Sequence, residues 1–437
     1  MTAGSNPVGA PADSELVRAV GLPGLSASVV NIIVGGGIFV LPATLALSLG
    51  PAAPIALLLG ALVMLPITAC FAAAGSRVTS TGGPYSYIGT AFGPFAGFVG
   101  GALMWITNVA SIAGIAAALV DQAGNAVPAL ASPGARAGLL VGIYTLLVAV
   151  NALGIRVGIR AIMALAILKL APLIVLVVVG LFFISPPNLA WQGWPAWSAI
   201  GSAMVLVIFA YAGVETALIP SGEVKDPNRL IPRATLLATV FVIALYLGLQ
   251  TVAQGVLGPG LAGHPAPLAA TAGAIWAAGF GLLVATASVS MLGLMQGNLV
   301  GSSRLLYAFG RDGLLPRALG TLTAERRVPL VAILAHAGVG LGLALAGEFA
   351  TLAMISGGAV CLVYIGVCAA AWRLEQTGVA AHGSPFALPG GFALPLLGIT
   401  ALVLVLATLP ALQWLAIGIA LVAALALYGL ARLARRA

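Results

Sequence analysis

Apolar windows of about 20 residues recur along almost the whole chain, and each is long enough to cross a bilayer as a helix. We count twelve, at about 24–49, 51–76, 91–120, 136–154, 157–184, 198–220, 231–257, 268–300, 328–346, 350–373, 392–409 and 412–431. The long third and eighth windows imply tilt or extension past the hydrocarbon. Of 437 residues, 61% are hydrophobic and 6% charged, where a soluble domain carries about 25% charged residues. An all-α integral membrane protein is therefore expected. Residues 1–20 carry Asp13, Glu15 and Arg18 and lack the cationic start and short apolar core of a signal peptide. Cys361 and Cys368 are seven residues apart on one expected helix, about 10 Å in rise, too far to bridge. With Cys70 they read as small core residues. Trp191, Trp194 and Trp197, in "SPPNLAWQGWP", suit an interfacial belt.

The cations give an orientation. With the N-terminus inside, Arg18, Arg77, Arg156, Arg160, Lys225, Arg229, Arg233, Arg304, Arg311, Arg317, Arg326, Arg327, Arg373, Arg432, Arg435 and Arg436 fall on the cytoplasmic side, sixteen of the 18 Lys and Arg. Only Arg136 falls outside and only Lys169 within a span. Both termini are expected in the cytoplasm of a cell-membrane protein. The net charge of +8 then lines the inner rim beside anionic headgroups; it does not form a nucleic-acid surface.

The first window contains "NIIVGGGIFVLPA", with Gly35, Gly36 and Gly37 at mid-membrane. Each glycine weakens a helix by about 1 kcal/mol relative to alanine. Small residues also let helices pack closely, so one such cluster decides little. The sixth window repeats it: "MVLVIFAYAGVETALIPSGE" places Ala210, Ala212 and Gly213 at the same depth, followed by Glu215 and Pro220. Interrupted helices at matching places in two repeats mark the central site of a transporter. Five spans per repeat, an odd number, force opposite topologies. The expected organisation is a cytoplasmic segment 1–23, a first five-helix repeat 24–184, a second, inverted repeat 198–373, two additional helices in 392–431, and a basic tail 432–437. A broken helix exposes N–H groups at the start of its second half and C=O groups at the end of its first. Gly36, Gly37 and Ile38 should offer N–H groups to a carboxylate, with Gly35 completing the opening. Ile33 and Val34, and Phe209 and Ala210 in span 6, should offer carbonyls to an ammonium. Such a site fits a zwitterion, and glycine lets it approach.

Four stretches carry a family resemblance: "VGGGIFVLPA", "TGGPYSYIGTAFGPFAGF", "FAYAGVETALIPSGEVKDPNRLIPRA" and "SRLLYAFGRDGLLPRAL", in order from residue 34 to about 319. In these the chain resembles the amino acid–polyamine–organocation transporter superfamily. The resemblance implies two inverted five-helix repeats with discontinuous helices 1 and 6, alternating access, and transport of amino acids or related amines. Lys169, in "AILKLAPLIVL", sits near the middle of span 5. Its side chain reaches about 6 Å, against a half-thickness of about 15 Å, so it cannot snorkel and should face inward. By similarity to sodium-independent members it stands where sodium binds in sodium-coupled relatives, and it could exchange a proton.

The resemblance also makes Phe209 the gating aromatic over the substrate, with Tyr211 the other candidate. It gives Glu215 either a proton-carrying or latch role; a buried acid bonded to unwound backbone is the equal alternative. Thr107 and Asn108 in "WITNVAS" lie where side chains contact substrate, although interhelical bonding is as common. Glu223 and Asp226 read as partners of Arg229 or Arg233, and Tyr85 and Tyr87 as scaffold. Thr286, Ser288 and Ser290 resemble sodium-site hydroxyls, a use that Lys169 opposes. His264, His336 and His382 lack metal spacing, and no cofactor is expected. The partners are an amino acid or amine, membrane lipid and, where transport is coupled, protons; no nucleic acid is implied, and oligomeric state is open. Neutral amino acids lead, since Glu215 is the lone acid at the centre. A polyamine exchanger is the alternative. An integral membrane enzyme should show clustered His, Asp or Glu, and a channel a repeated filter or charge ring; neither is visible.

Overall fold

The computed structural model describes residues 16–436 apart from 192, 194, 347–348, 382 and 408–410. Trp194, His382, Ala437 and the first fifteen residues lie outside the described residues, as do the side chains of Trp197 and Phe209.

Span 1 is two helices. The first, α1 (Leu22–Ile33), has Pro23 in its opening turn, where the missing N–H is no loss, and stops before the glycines. After a tight turn at Gly37–Phe39, α2 (Leu41–Leu49) starts with Pro42 in its first turn. Then come α3 (Ala53–Arg77), the short α4 (Pro84–Phe92), and α5 (Pro94–Ala126), which Gly93 at φ 94° turns away from α4. Next are α6 (Pro133–Ala152), N-capped by Ser132, and α7 (Ile155–Gly180). Span 6 is again broken, into α8 (Trp197–Tyr211) and α9 (Val214–Ala217). The remaining helices are α10 (Pro227–Leu257), α11 (Pro267–Ile275), α12 (Gly279–Arg311), α13 (Leu330–Ala346), α14 (Phe349–Gln376), α15 (Ala393–Ala407) and α16 (Ala411–Arg436).

Seven described helical stretches are long and apolar enough to cross a membrane, and four shorter apolar helices accompany them. The chain is an all-α, multi-pass integral membrane protein. Two boundaries differ from expectation. The eighth window is α11 plus α12, because the chain turns extended at Trp276 between them. The third window starts inside α4 rather than α5, since Phe92 still belongs to the short helix. Hydropathy alone merges both pairs, because the joints are as apolar as the helices.

Within the apolar window of α5, 72% of residues are buried in the protein, against 22% in α6 and 28% in α7. The first is thus central and the other two face lipid. The largest core cluster gathers α1, α2, α3, α8 and α10 with parts of α7, α11 and α14. Two smaller ones lie along α5, one toward α12, α14 and α16 and one toward α6, α12 and α13. Among helix pairs, α3 packs on α10, α1 on α10, α3 on α8, α5 on α14, and α12 on α7. At one end, the lead-in to α1 joins the segment after α9. The Ala19 and Val20 N–H groups donate to the Glu223 carbonyl at 3.0 and 2.9 Å, and Lys225 N–H returns a bond to Val20 at 2.9 Å.

Candidate functional site

The two helix breaks meet. Gly213 has φ 135°, and a Cβ there would lie 2.9 Å from Ile32 Cγ2, 3.0 Å from Ile33 N and 3.1 Å from Ile32 C. Only glycine permits both that dihedral and that contact. Beside the contact is a cavity of about 90 Å³. Its wall includes Ile33, Gly35, Gly36, Gly37, Thr107, Asn108, Ala210, Gly213 and Glu215, all singled out from sequence. It also includes Ile32, Ser111, Ile115, Ala212, Thr216, Leu294, Asn298 and Val360, which were not assigned to the site.

The breaks treat donors and acceptors differently. The carbonyls are taken. Lys169 Nζ, fully buried, donates to Asn31 O at 2.6 Å and Val34 O at 2.5 Å. Ser290 Oγ lies 2.9 Å from Val34 O and 3.0 Å from Gly35 O, one hydroxyl hydrogen shared between two acceptors. Tyr246 Oη bridges the breaks, 2.9 Å from Ile33 O and 3.3 Å from Ala210 O. The N–H groups of Gly36, Gly37 and Ile38 have no acceptor among the described residues. The expectation of open carbonyls at Ile33, Val34 and Ala210 is therefore corrected. Helices α7, α10 and α12 deliver donors to them: Val34 O accepts from both Lys169 and Ser290 and Ile33 O from Tyr246 and Gly35 N–H, so of the three only Ala210 O, with Tyr246 as its side-chain donor, keeps a lone pair toward a ligand cation.

The break in span 6 lies later than expected. Helix α8 runs through Phe209 and Ala210 to Tyr211, and only Ala212 and Gly213 separate it from α9. Glu215 Oε2 accepts from Gly213 N–H at 2.9 Å and from Tyr364 Oη at 2.5 Å, so the carboxylate reaches back to the N–H of the residue that precedes α9. Tyr211 is buried off the wall, stacked on Tyr246 at 5.3 Å between ring centroids. Ile38 and Lys169 also stand behind the wall. On the polar side, Thr216 Oγ1 donates to Asn108 Oδ1 at 3.2 Å and Asn298 Nδ2 to Asn108 O at 3.1 Å. Thr107 Oγ1 and Asn108 Nδ2 are buried without partners among the described residues.

Glu223 pairs with an arginine far from Arg229 and Arg233 in sequence. Arg304 on α12 takes it with two bonds, Nε to Oε2 at 2.5 Å and Nη2 to Oε1 at 3.2 Å, and both side chains are buried. Asp226 instead opens α10, its carbonyl accepting from Arg229 N–H and Leu230 N–H at 3.0 Å. Glu223 lies in the third of the four family-like stretches and Arg304 in the fourth, "SRLLYAFGRDGLLPRAL", and only the tertiary fold brings the two together. Tyr246, Tyr364 and Asn298 were missed because no local pattern marks which polar residues of these helices meet the breaks. No group of three or more His, Cys, Asp or Glu that could hold a metal occurs among the described residues.

Comparison with known proteins gives a consistent result. The family described as "Amino acid permease" matches residues 20–430. The branched-chain amino acid permease BcaP of Lactococcus lactis is 28% identical over 375 residues, covering 79% of this chain and 80% of that protein. BcaP of Bacillus subtilis is 27% identical, covering 73% of each chain. The serine/threonine exchanger SteT of Bacillus subtilis is 26% identical, covering 74% of this chain and 75% of its own.

Proposed function

The chain belongs to the amino acid permease family, a membrane transporter of amino acids and related small solutes, and on that premise we propose that it carries small neutral amino acids by alternating access at the cavity between its two broken helices. The observation that carries the proposal is the division of labour at the span 1 break. Its acceptors are taken by Lys169, Ser290 and Tyr246, while the N–H groups of Gly36 and Gly37, on the cavity wall, are left for a ligand carboxylate. Among the described residues Glu215 is the one acid on the wall, and it already accepts two hydrogen bonds. That speaks for a neutral substrate over a polyamine, which needs more anionic surroundings. The names of the relatives, branched-chain and serine/threonine carriers, point the same way.

The proposed architecture is twelve spans, with repeats at 24–184 and 198–373, added helices in 392–431 and both termini in the cytoplasm. Helix packing supports the inverted repeat. Exchanging each span with the one five places on maps the α1–α10 pair onto α8–α3 and the α5–α14 pair onto α12–α7, and it maps α3–α10 onto itself. The short helices α4 and α11 also correspond, each leading into the third span of its repeat.

Transport is proposed to be independent of sodium. The Lys169 ammonium holds the carbonyls that a cation between spans 1 and 5 would need. Phe209 remains the proposed gating aromatic, and Glu215 and Lys169 the proposed proton-handling groups. A panel of labelled amino acids offered to proteoliposomes, in sodium and in choline, tests the reading. Uptake of neutral amino acids at equal initial rates in both is expected. Sodium-dependent uptake would overturn the role given to Lys169, and uptake confined to diamines would overturn the substrate class.

A further inference from the structure

A hydrogen-bond chain runs from behind the cavity to Asn298 on its wall. Trp105 Nε1 on α5 donates to His336 Nδ1 on α13 at 3.1 Å. His336 Nε2 lies 3.2 Å from Asn298 Oδ1 on α12, which also accepts from Ser302 Oγ at 3.2 Å. Asn298 Nδ2 donates to the Asn108 carbonyl at 3.1 Å. His336 is fully buried and is not on the cavity wall; Asn298 is.

The two ends of this chain fix its direction. An indole N–H can only donate, and a backbone carbonyl can only accept. His336 Nδ1 must therefore accept, the hydrogen of the neutral ring must be on Nε2, and Nε2 must donate. The Asn298 atom facing it is then the oxygen, which leaves the nitrogen toward Asn108. Reversing the amide would set N–H against N–H at His336 and oxygen against oxygen at Asn108. Amide and tautomer, usually matters of choice, are here determined by chemistry at both ends. One Asn298 N–H is used on Asn108; the other has no partner among the described residues. The same cavity wall carries Asn108 and Thr107, whose Nδ2 and Oγ1 have no partner among the described residues, each side chain more than nine-tenths buried, and Ile115, Leu294 and Val360 add aliphatic surface to it.

We propose that Asn298 is a specificity-determining donor to the substrate side chain, and that His336 and Trp105 are positioning residues that hold its amide in register. Given the reading of the cavity as an amino-acid site, on which this rests, the favoured class is small neutral amino acids with a side-chain acceptor next to an aliphatic group. Threonine fits, serine and asparagine in part. Valine, close to threonine in shape, leaves the donors unpaired, and sites built to bond a hydroxyl reject such analogues strongly.

The test is competition of threonine and valine against uptake of a labelled neutral amino acid by the full chain in proteoliposomes, read as the ratio of their inhibition constants. A ratio within one preparation does not depend on how much protein is active. The parent should prefer threonine by about tenfold or more. His336→Phe should bring the ratio near one, and His336→Gln, whose amide N–H can reach the place of Nε2, should restore most of it. Asn298→Asp keeps the acceptor to His336 and Ser302 but has no N–H, and should lose the preference independently. A parent that transports but does not distinguish the two, or a preference unchanged in both His336→Phe and Asn298→Asp, overturns the proposal. A parent that takes up no amino acid overturns instead the site reading beneath it.

Discussion

Replacing Lys169 by Met keeps much of the side-chain volume and removes both of its hydrogen bonds. The consequences at the two carbonyls differ. Val34 O retains Ser290 Oγ at 2.9 Å. Asn31 O retains nothing, because the N–H that would reach it in a continuous helix, that of Gly35, turns to Ile33 O at 2.7 Å. One buried carbonyl is orphaned, a cost of about 1–3 kcal/mol. The nearest remedy is for Gly35 N–H to return to Asn31 O, extending α1 into the break and withdrawing the segment that presents the N–H groups of Gly36 and Gly37. If that remedy has to be undone for substrate to bind, affinity falls by about 5- to 150-fold. Ser290→Ala should be milder, since Val34 O keeps Lys169 and the carbonyl that loses its donor belongs to Gly35, on the cavity wall where water can replace the hydroxyl, whereas Asn31 is not on that wall. The assay is equilibrium binding of a labelled neutral amino acid to purified protein, beside size-exclusion profiles to check that each variant is monodisperse. Binding by Lys169→Met within twofold of the parent, or a Ser290→Ala loss larger than the Lys169→Met loss, would refute the reasoning.

Gly213→Ala should lower thermal stability in detergent and abolish uptake, because its Cβ would lie about 3 Å from the α1 backbone at an unfavourable φ; an unchanged melting temperature would count against the contact between the breaks. Phe209→Ala should reduce binding and uptake more than Tyr211→Phe, which removes only a long bond to Leu57 O at 3.4 Å; the reverse ranking in a paired uptake assay would remove Phe209 from the gating role. Arg304→Met should destabilise the protein by about 3–5 kcal/mol, since it removes the arginine that pairs with the buried Glu223 carboxylate. Denaturation midpoints compared with an Arg304→Met/Glu223→Met double variant, which should recover part of the loss, measure this.

The membrane class and the two breaks were legible in the sequence because both rest on local signals. Length and hydropathy mark the spans, and glycine placement ended α1 at Ile33 as expected. Lys169 was legible as inward-facing because no reach to water was available to it, and it does face the end of α1. The later break in span 6 was not legible. Helix α8 continues through Ala210 and Tyr211, where alanine favours helix, and stops only where Gly213 needs a positive φ. Nor could sequence tell that the exposed carbonyls would be taken by Tyr246 and Ser290. Those contacts to Ile33 and Val34 each span more than two hundred residues, and nothing local to Tyr246 or Ser290 marks which backbone carbonyl either will meet. Asn298 and His336 were hidden in the same way: the information lies in which helices pack together, and periodicity does not carry it.

The central claim is that substrate occupies the opening at the glycines, and Gly37 is where it can be tested without disturbing the fold. A Cβ at Gly37 would meet nothing within 4 Å, so Gly37→Val adds its side chain to open space on the cavity wall rather than to a packed core. Counterflow in proteoliposomes loaded with an unlabelled neutral amino acid should show transient accumulation of the labelled one with the parent and none with Gly37→Val, although both elute as the same monodisperse species. Parental counterflow in the valine variant would contradict the account, because it would mean that the substrate crosses this protein without entering the space between the broken helices.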